Sequence, residues 1–318
     1  MSNREVIGQE ATGAVEVWRG GVNTWECDEM GHMNVRFYVA RFMDGLAGLA
    51  LRLGLPEAFT PGATATLAVR EHHIRFLREA PPGAALAMTA GVVELGETDA
   101  LILQTLSHVP SGQPCATVLT RVDHAAPAGR VFPWPARTRE AAAGLKVEVP
   151  ASAGARSIDP SPPSLTASLE AADQLGVPCA GRATVGPADG DAFGRMRTEL
   201  FIGRVSEATG VVLLPVRDAV ASGAPQVGRL GGAALEYRLV YLAAPRPGQH
   251  LELRSALRAL GDKTMHLAHW VLDPVSGQPW AVVESVGANL DLDARRLVPI
   301  APAARQAILP WVIEGMRI

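Results

Sequence analysis

Between Thr24 and Asn34 the chain reads TWECDEMGHMN, which sets acids, a Cys, a Gly and a His immediately ahead of a long amphipathic run. An Asp such as Asp28, with an ordinary pKa of about 3.9, is ionised near neutral pH, so it can attack a carbonyl carbon or take a proton from water. His32 belongs to the one side-chain type that ordinarily titrates near pH 7, which suits it to handling a proton or positioning a substrate. The start of a helix just downstream would offer unpaired N–H groups and a positive dipole end to a developing oxyanion. Each residue also has a local alternative. Asp28 can hold a turn through its carboxylate, His32 can bond the loop backbone, and Asn34 can orient a water or cap the helix. A nucleophilic Cys27 would need a base, and on an extended backbone adjacent side chains point apart, so Cys27 and Asp28 do not form such a pair.

These residues are positioned by elements legible in the pattern. Apolar residues at Val35, Val39, Phe42, Leu46, Leu49 and Leu53 recur at spacings of 4, 3, 4, 3 and 4, one buried stripe of a helix that Asn34 caps and Gly54 and Pro56 end. Four strand-like runs follow, at 65–80, 84–95, 100–109 and 114–124, separated by the turns PPG, LGETD and PSGQP. With a short strand at 14–22, the order is strand, loop, long helix, then an antiparallel meander that must wrap the helix's apolar stripe.

That order occurs twice. PSGQPCATV at 110–118 returns as VSGQPWAVV at 275–283, and the same offset relates Glu71 to Glu236 and Leu95-Gly96 to Leu260-Gly261. Upstream, a slightly smaller offset relates Asp28 to Asp191, Gly31 to Gly194 and Met33 to Met196. The expected organisation is a first unit at 10–130, a Pro/Ala-rich connection with a short helix at 131–179, a second unit at 180–295 and a C-terminal extension at 296–318. The second loop, GDAFGRMRTEL, keeps Asp191 and Gly194 but has Arg195 and Arg197 where the first has His32 and Asn34. These arginines either turn the second site to phosphate binding or are surface charges.

Composition narrows the function. The 318-residue chain has 48% hydrophobic and 19% charged residues with a formal net charge of −3, an ordinary globular balance lacking the basic excess of nucleic-acid binders. Cys27, Cys115 and Cys179 are widely spaced, which indicates neither a disulfide framework nor a zinc site, and His266 and His269 lack partners at metal-ligand spacing. There is no signal-like N-terminus and no run of 18 apolar residues, so a cytoplasmic protein with no membrane segment is expected. No Gly-rich phosphate loop and no G-x-S-x-G elbow occurs. On the strand after the helix, alternation places Glu71, His73 and Arg75 on one face and His72 on the other. That first face is expected to be solvated, with contact to a ligand's phosphates as the alternative.

The D-x-x-G-H-M-N loop leading into a long helix, followed by a four-stranded meander, resembles the hotdog fold and in particular the 4-hydroxybenzoyl-CoA thioesterase-like branch. The resemblance covers both halves and implies an α+β double hotdog. It also implies an acyl-CoA thioesterase in which Asp28 is nucleophile or general base, with His32 and Asn34 beside it, and sites that form between paired units. The position two before the carboxylate is Glu26 rather than the frequent Asp. Gly31, Phe37, Tyr38, Arg41, His73 and Arg75 are the expected substrate-side residues, and Asp191, Arg195 and Arg197 an impaired or repurposed second site. No metal or cofactor is expected, coenzyme A being part of the substrate, and the double-hotdog chains are expected to associate further as homo-oligomers. The rival readings are a non-catalytic acyl-CoA-binding module and an acyl-CoA hydratase or dehydratase.

Overall fold

A computed structural model describes residues 13–223 and 229–318, and the chain divides into two compact units after Gly154. In the first, β1 (Val15–Gly21) is followed by the site loop, α1 (Val35–Arg52), and then β2 (Thr66–Phe76), β3 (Ala85–Leu95), β4 (Asp99–His108) and β5 (Pro114–Ala125). The strands form an antiparallel sheet in the order β1-β3-β4-β5-β2. The spacing argument holds: Asn34 accepts the Arg36 N–H through its side chain at 3.0 Å, and Val39, Phe42, Leu46 and Leu49 are fully buried. Leu46 and Leu49 pack with Ala90, Ile102 and Val122 of the sheet. Burying each such side chain contributes about 1.5–3 kcal/mol. At Gly48 a Cβ would collide with the Val17 carbonyl, so helix and sheet touch there backbone to backbone.

The second unit repeats this plan with β6 (Cys179–Thr184), α4 (Glu199–Gly223), β7 (Leu230–Tyr241), β8 (His250–Leu260), β9 (Thr264–Leu272) and β10 (Pro279–Asp291), in the order β6-β8-β9-β10-β7. The two-residue β11 (Arg296–Leu297) adds to β10. The fold is an α+β double hotdog, two tandem units of one long helix and an antiparallel sheet.

The repeat runs beyond the strands. In the first unit α2 (Ala136–Gly144) packs on the core through Ala142, and the chain after it bonds the sheet edge, Val92 N–H to the Leu145 carbonyl at 2.8 Å and Val147 N–H to the Val92 carbonyl at 3.0 Å. In the second, α5 (Pro302–Ile308) packs on Leu257 and Met265, and Ile313 N–H bonds the Leu257 carbonyl at 2.9 Å. The helix arginines also reach the same turn of each sheet: Arg139 donates to the Glu97 carbonyl, Arg305 to those of Leu260 and Gly261. The stretch 131–179 is thus shared between the units, its first half closing the first sheet. Its second half, with α3 (Leu169–Gln174), packs on Trp270 and Met316 of the second. Residues 299–313 are the second unit's version of 133–147. None of the described helices is long and apolar enough to cross a membrane.

One expectation is corrected. The face of β2 carrying Glu71, His73 and Arg75 is not solvated: His73 is buried and Arg75 donates to the Gly154 carbonyl at 2.7 Å. Thr117, paired with Arg75 across the sheet, donates to the Ser152 carbonyl, while Ala153 packs with Leu103 and Leu119. The strap after α2 crosses this face, and the alternation of a single strand carries no record of a segment that arrives eighty residues later.

Candidate functional site

The loop between β1 and α1 is tied down at both ends. A turn of 3-10 helix at Thr24–Glu26 is closed by Glu26, whose carboxylate accepts the Asn23 N–H at 2.7 Å. Asp28 N–H then bonds the His32 carbonyl and Gly31 N–H the Asp28 carbonyl, both at 3.0 Å. Gly31 has φ +79°, a conformation that a side chain would strain. Met33 N–H reaches the Ala80 carbonyl at 2.9 Å, which fixes the loop to the hairpin between β2 and β3.

Within this frame Asp28 is half-buried and its Oδ1 accepts the Met30 N–H at 2.9 Å. Burial lifts its carboxyl above the ordinary range, against the pull of His32 and the loop N–H groups in the other direction. His32 lies with Nδ1 3.6 Å from Asp28 Oδ1 and Nε2 3.9 Å from Glu79 Oε1. Tyr38, one turn into α1, is buried against the edge of Phe76, and its hydroxyl is pushed well up by burial first and then by Cys115, Asp28 and Glu79 nearby. The structure therefore gathers Asp28, His32 and Tyr38, and adds Glu79, which the sequence reading passed over.

The other expected residues sit differently. Asn34 spends its side-chain oxygen on the helix start, and its carbonyl accepts the Phe37 N–H at 2.9 Å. Two first-turn N–H groups that were expected to face an oxyanion are therefore already bonded. Arg36 lies over the Phe37 ring. Arg41 is ion-paired with Glu26 and with Asp44 at 3.3 Å and stacks over Trp18. His73 and Arg75 lie under the strap. Among the described residues no group of three or more His, Cys, Asp or Glu is arranged to hold a metal ion, and His269 is enclosed between the Ser255 and Ser285 hydroxyls, where burial lowers it to about 3.

The second loop has the same backbone. Asp191 N–H bonds the Arg195 carbonyl at 2.7 Å, Gly194 N–H the Asp191 carbonyl at 3.1 Å with φ +69°, and Met196 N–H the Pro245 carbonyl at 2.7 Å. Its carboxylate is occupied on both oxygens. Oδ1 accepts the Phe193 and Arg195 N–H groups at 2.8 and 2.9 Å, and Oδ2 accepts the Arg195 guanidinium at 3.2 and 3.3 Å. Arg197 pairs with Glu199 at 3.2 Å. Phe201, against Tyr241, stands where the first unit has Tyr38 against Phe76.

What both loops share is the clamp behind them. Arg41 joins Glu26 to Asp44 in the first unit, and Arg204 joins Asp189 at 3.8 Å to Glu207 at 3.0 Å in the second. All three positions correspond at the loop's own repeat offset, so the signal was present in the sequence, although the acids change identity between the copies.

A family model described as the thioesterase-like superfamily matches residues 22–142 and again 185–308. Among solved structures, a candidate oleoyl thioesterase from Lactobacillus plantarum superposes with TM-score 0.66 at 12% identity, covering 90% of this chain and 99% of that one. An acyl-ACP thioesterase from Bacteroides thetaiotaomicron gives 0.63 at 9% identity over 86% and 98%. The 12:0-ACP thioesterase from Umbellularia californica gives 0.58 at 8% identity over 87% and 94%. No curated protein matches the sequence.

Proposed function

The chain belongs to the thioesterase-like superfamily, and from that premise we propose that it hydrolyses an acyl-CoA to the free acid and coenzyme A, with Asp28 as the reacting carboxylate. The observation that carries this reading is the contrast between the two aspartates on one loop backbone. Asp28 is lifted by burial towards a more basic carboxylate and meets an imidazole, whereas both oxygens of Asp191 are taken by its own loop and by Arg195. A carboxylate nearer the working pH is the better base. In its ionised form it either takes a proton from the water that attacks the thioester carbonyl or attacks that carbon itself. Either way a C–O bond forms, the C–S bond breaks, and the thiol leaves with one of water's protons. The names of the solved relatives, an oleoyl thioesterase and two thioesterases that act on ACP thioesters, support an acyl thioester as substrate.

The test is free-thiol release from a panel of acyl-CoAs of graded chain length, with an acyl-ACP arm, by the wild type, Asp28→Asn and Asp191→Asn. Turnover of acyl-CoA that is lost in Asp28→Asn alone supports the proposal. Release from acyl-ACP but from no acyl-CoA reassigns the carrier. Stoichiometric binding without release would make the protein an acyl-CoA-binding module.

A further inference from the structure

Glu79 has no counterpart in the second unit, where the repeat places Ala244, and it stands on a hairpin whose backbone is fixed on each side. Leu77 and Arg78 N–H groups both bond the Cys115 carbonyl, the His108 Nε2 lies 3.0 Å from the Glu79 carbonyl, and the Ala80 carbonyl holds Met33 N–H of the site loop. These ties bring the carboxylate beside His32 rather than leaving it on a free turn. The imidazole then has a carboxylate at each nitrogen, at 3.6 Å for Asp28 and 3.9 Å for Glu79. Side-chain exposure is 20% at Asp28, 19% at His32 and 41% at Glu79, so the line runs from a sheltered carboxylate to a wet one. The other titratable groups facing this line are Cys27 and Glu29 from the loop, Tyr38 from α1, His108 from β4 and Cys115 from β5.

We propose that Glu79 is a positioning residue that completes a carboxylate–imidazole–carboxylate relay, carrying the surplus proton of thioester hydrolysis from Asp28 through His32 to solvent. The inference rests on the hydrolase reading above. Its balance is fixed by the reaction: thioester and water give carboxylate, thiol and one proton. Of water's two protons, one ends on the thiol sulfur and the other must leave the half-buried Asp28 before the next turnover. His32 accepts it on Nδ1 and releases one from Nε2 towards Glu79. Both gaps exceed a hydrogen bond, and catalytic contacts of this kind commonly tighten only with substrate bound. The second unit supports the assignment by what it lacks. The loop backbone and its clamp are kept there, while the positions of His32, Tyr38 and Glu79 carry Arg195, Phe201 and Ala244 together.

The experiment measures kcat and KM for thiol release by the wild type, Glu79→Gln and Glu79→Asp, each across a series of imidazole buffer concentrations at fixed pH and ionic strength. The expected result is a fall in kcat of about tenfold in Glu79→Gln with KM unchanged. Recovery with rising buffer concentration and an intermediate rate for Glu79→Asp complete the expected pattern. A kcat equal to the wild type, or a loss that neither buffer nor Glu79→Asp relieves, overturns the relay, the second because a merely structural defect does not respond to a soluble proton carrier. Absence of thiol release from the wild type removes the hydrolase reading and the relay with it. That failure is seen before any variant is compared.

Discussion

Two loops in this chain share a backbone and differ in nearly every side chain that touches their aspartate. In the first, Asp28 is sheltered and faces His32; in the second, Asp191 is enclosed by two N–H groups and the Arg195 guanidinium. The hydrogen bonds that shape the turn, the glycine at positive φ and the arginine clamp survive in both. The geometry of such a loop is therefore separable from its chemistry. A carboxylate can be held in one place by one set of residues and given different partners by another.

The sharpest way to break the comparison is to remove each carboxylate. Asp28→Asn should lower kcat for thiol release by about 10²–10⁴-fold, while Asp191→Asn should stay within about twofold of the wild type. Comparable losses would mean two working sites.

Next in size is an exchange of character. His32→Arg should pair Asp28 as Arg195 pairs Asp191, costing about 10²-fold in kcat. Arg195→His should create no activity at the second loop, which has Phe201 and Ala244 in place of Tyr38 and Glu79. Assaying Arg195→His on the Asp28→Asn background isolates any contribution of the second loop.

The clamp should differ in energetic worth between units. Glu26 is 4% exposed at its side chain, against 22% for Asp189. Arg41→Met strands a buried carboxylate and should cost about 2 kcal/mol in chemical denaturation, whereas Arg204→Met should cost less than about 1 kcal/mol.

The smallest effect concerns pH. Because burial raises the Asp28 carboxyl, the folded protein binds that proton more readily than the unfolded chain. The group therefore withdraws stability as pH rises from the ordinary Asp range through the folded midpoint. Asp28→Asn should melt slightly higher than the wild type at pH 7, with the gap closing near pH 4. The same sign places the acid limb of the wild-type rate above the ordinary Asp range, with activity lost as pH falls through it.

Much of the fold was legible because its periods are local. The helix stripe from Val35 to Leu49, the Asn34 cap and the turn-separated strands need only neighbours in sequence, and the repeat exposed the duplication. What escaped depended on distant partners. The strap over His73 and Arg75 is short and irregular, α2 and α5 are too brief to show a period, and Glu79 stands on a turn with nothing nearby to mark it. The Arg41 clamp escaped for another reason. It joins Glu26 to Asp44 in one copy and Asp189 to Glu207 in the other, so at the repeat offset only the arginine is identical and its acids are not. In the loop, Asp28 and His32 were legible as neighbours, which the structure places 3.6 Å apart, and Asn34 was found in its capping role.

The edge bonds between Val92 and the 145–147 strap have a consequence for the order of events at the ribosome. Every strand of the first unit, its cap helix and its strap lie before residue 155, so that unit can close its sheet while the second is still being translated. Domains emerging in this order fold as they appear. The second unit must wait for Ile313 to seal the edge at Leu257. A truncation that removes Ile313 should therefore cost the later half its solubility and leave the half bearing Asp28 folded.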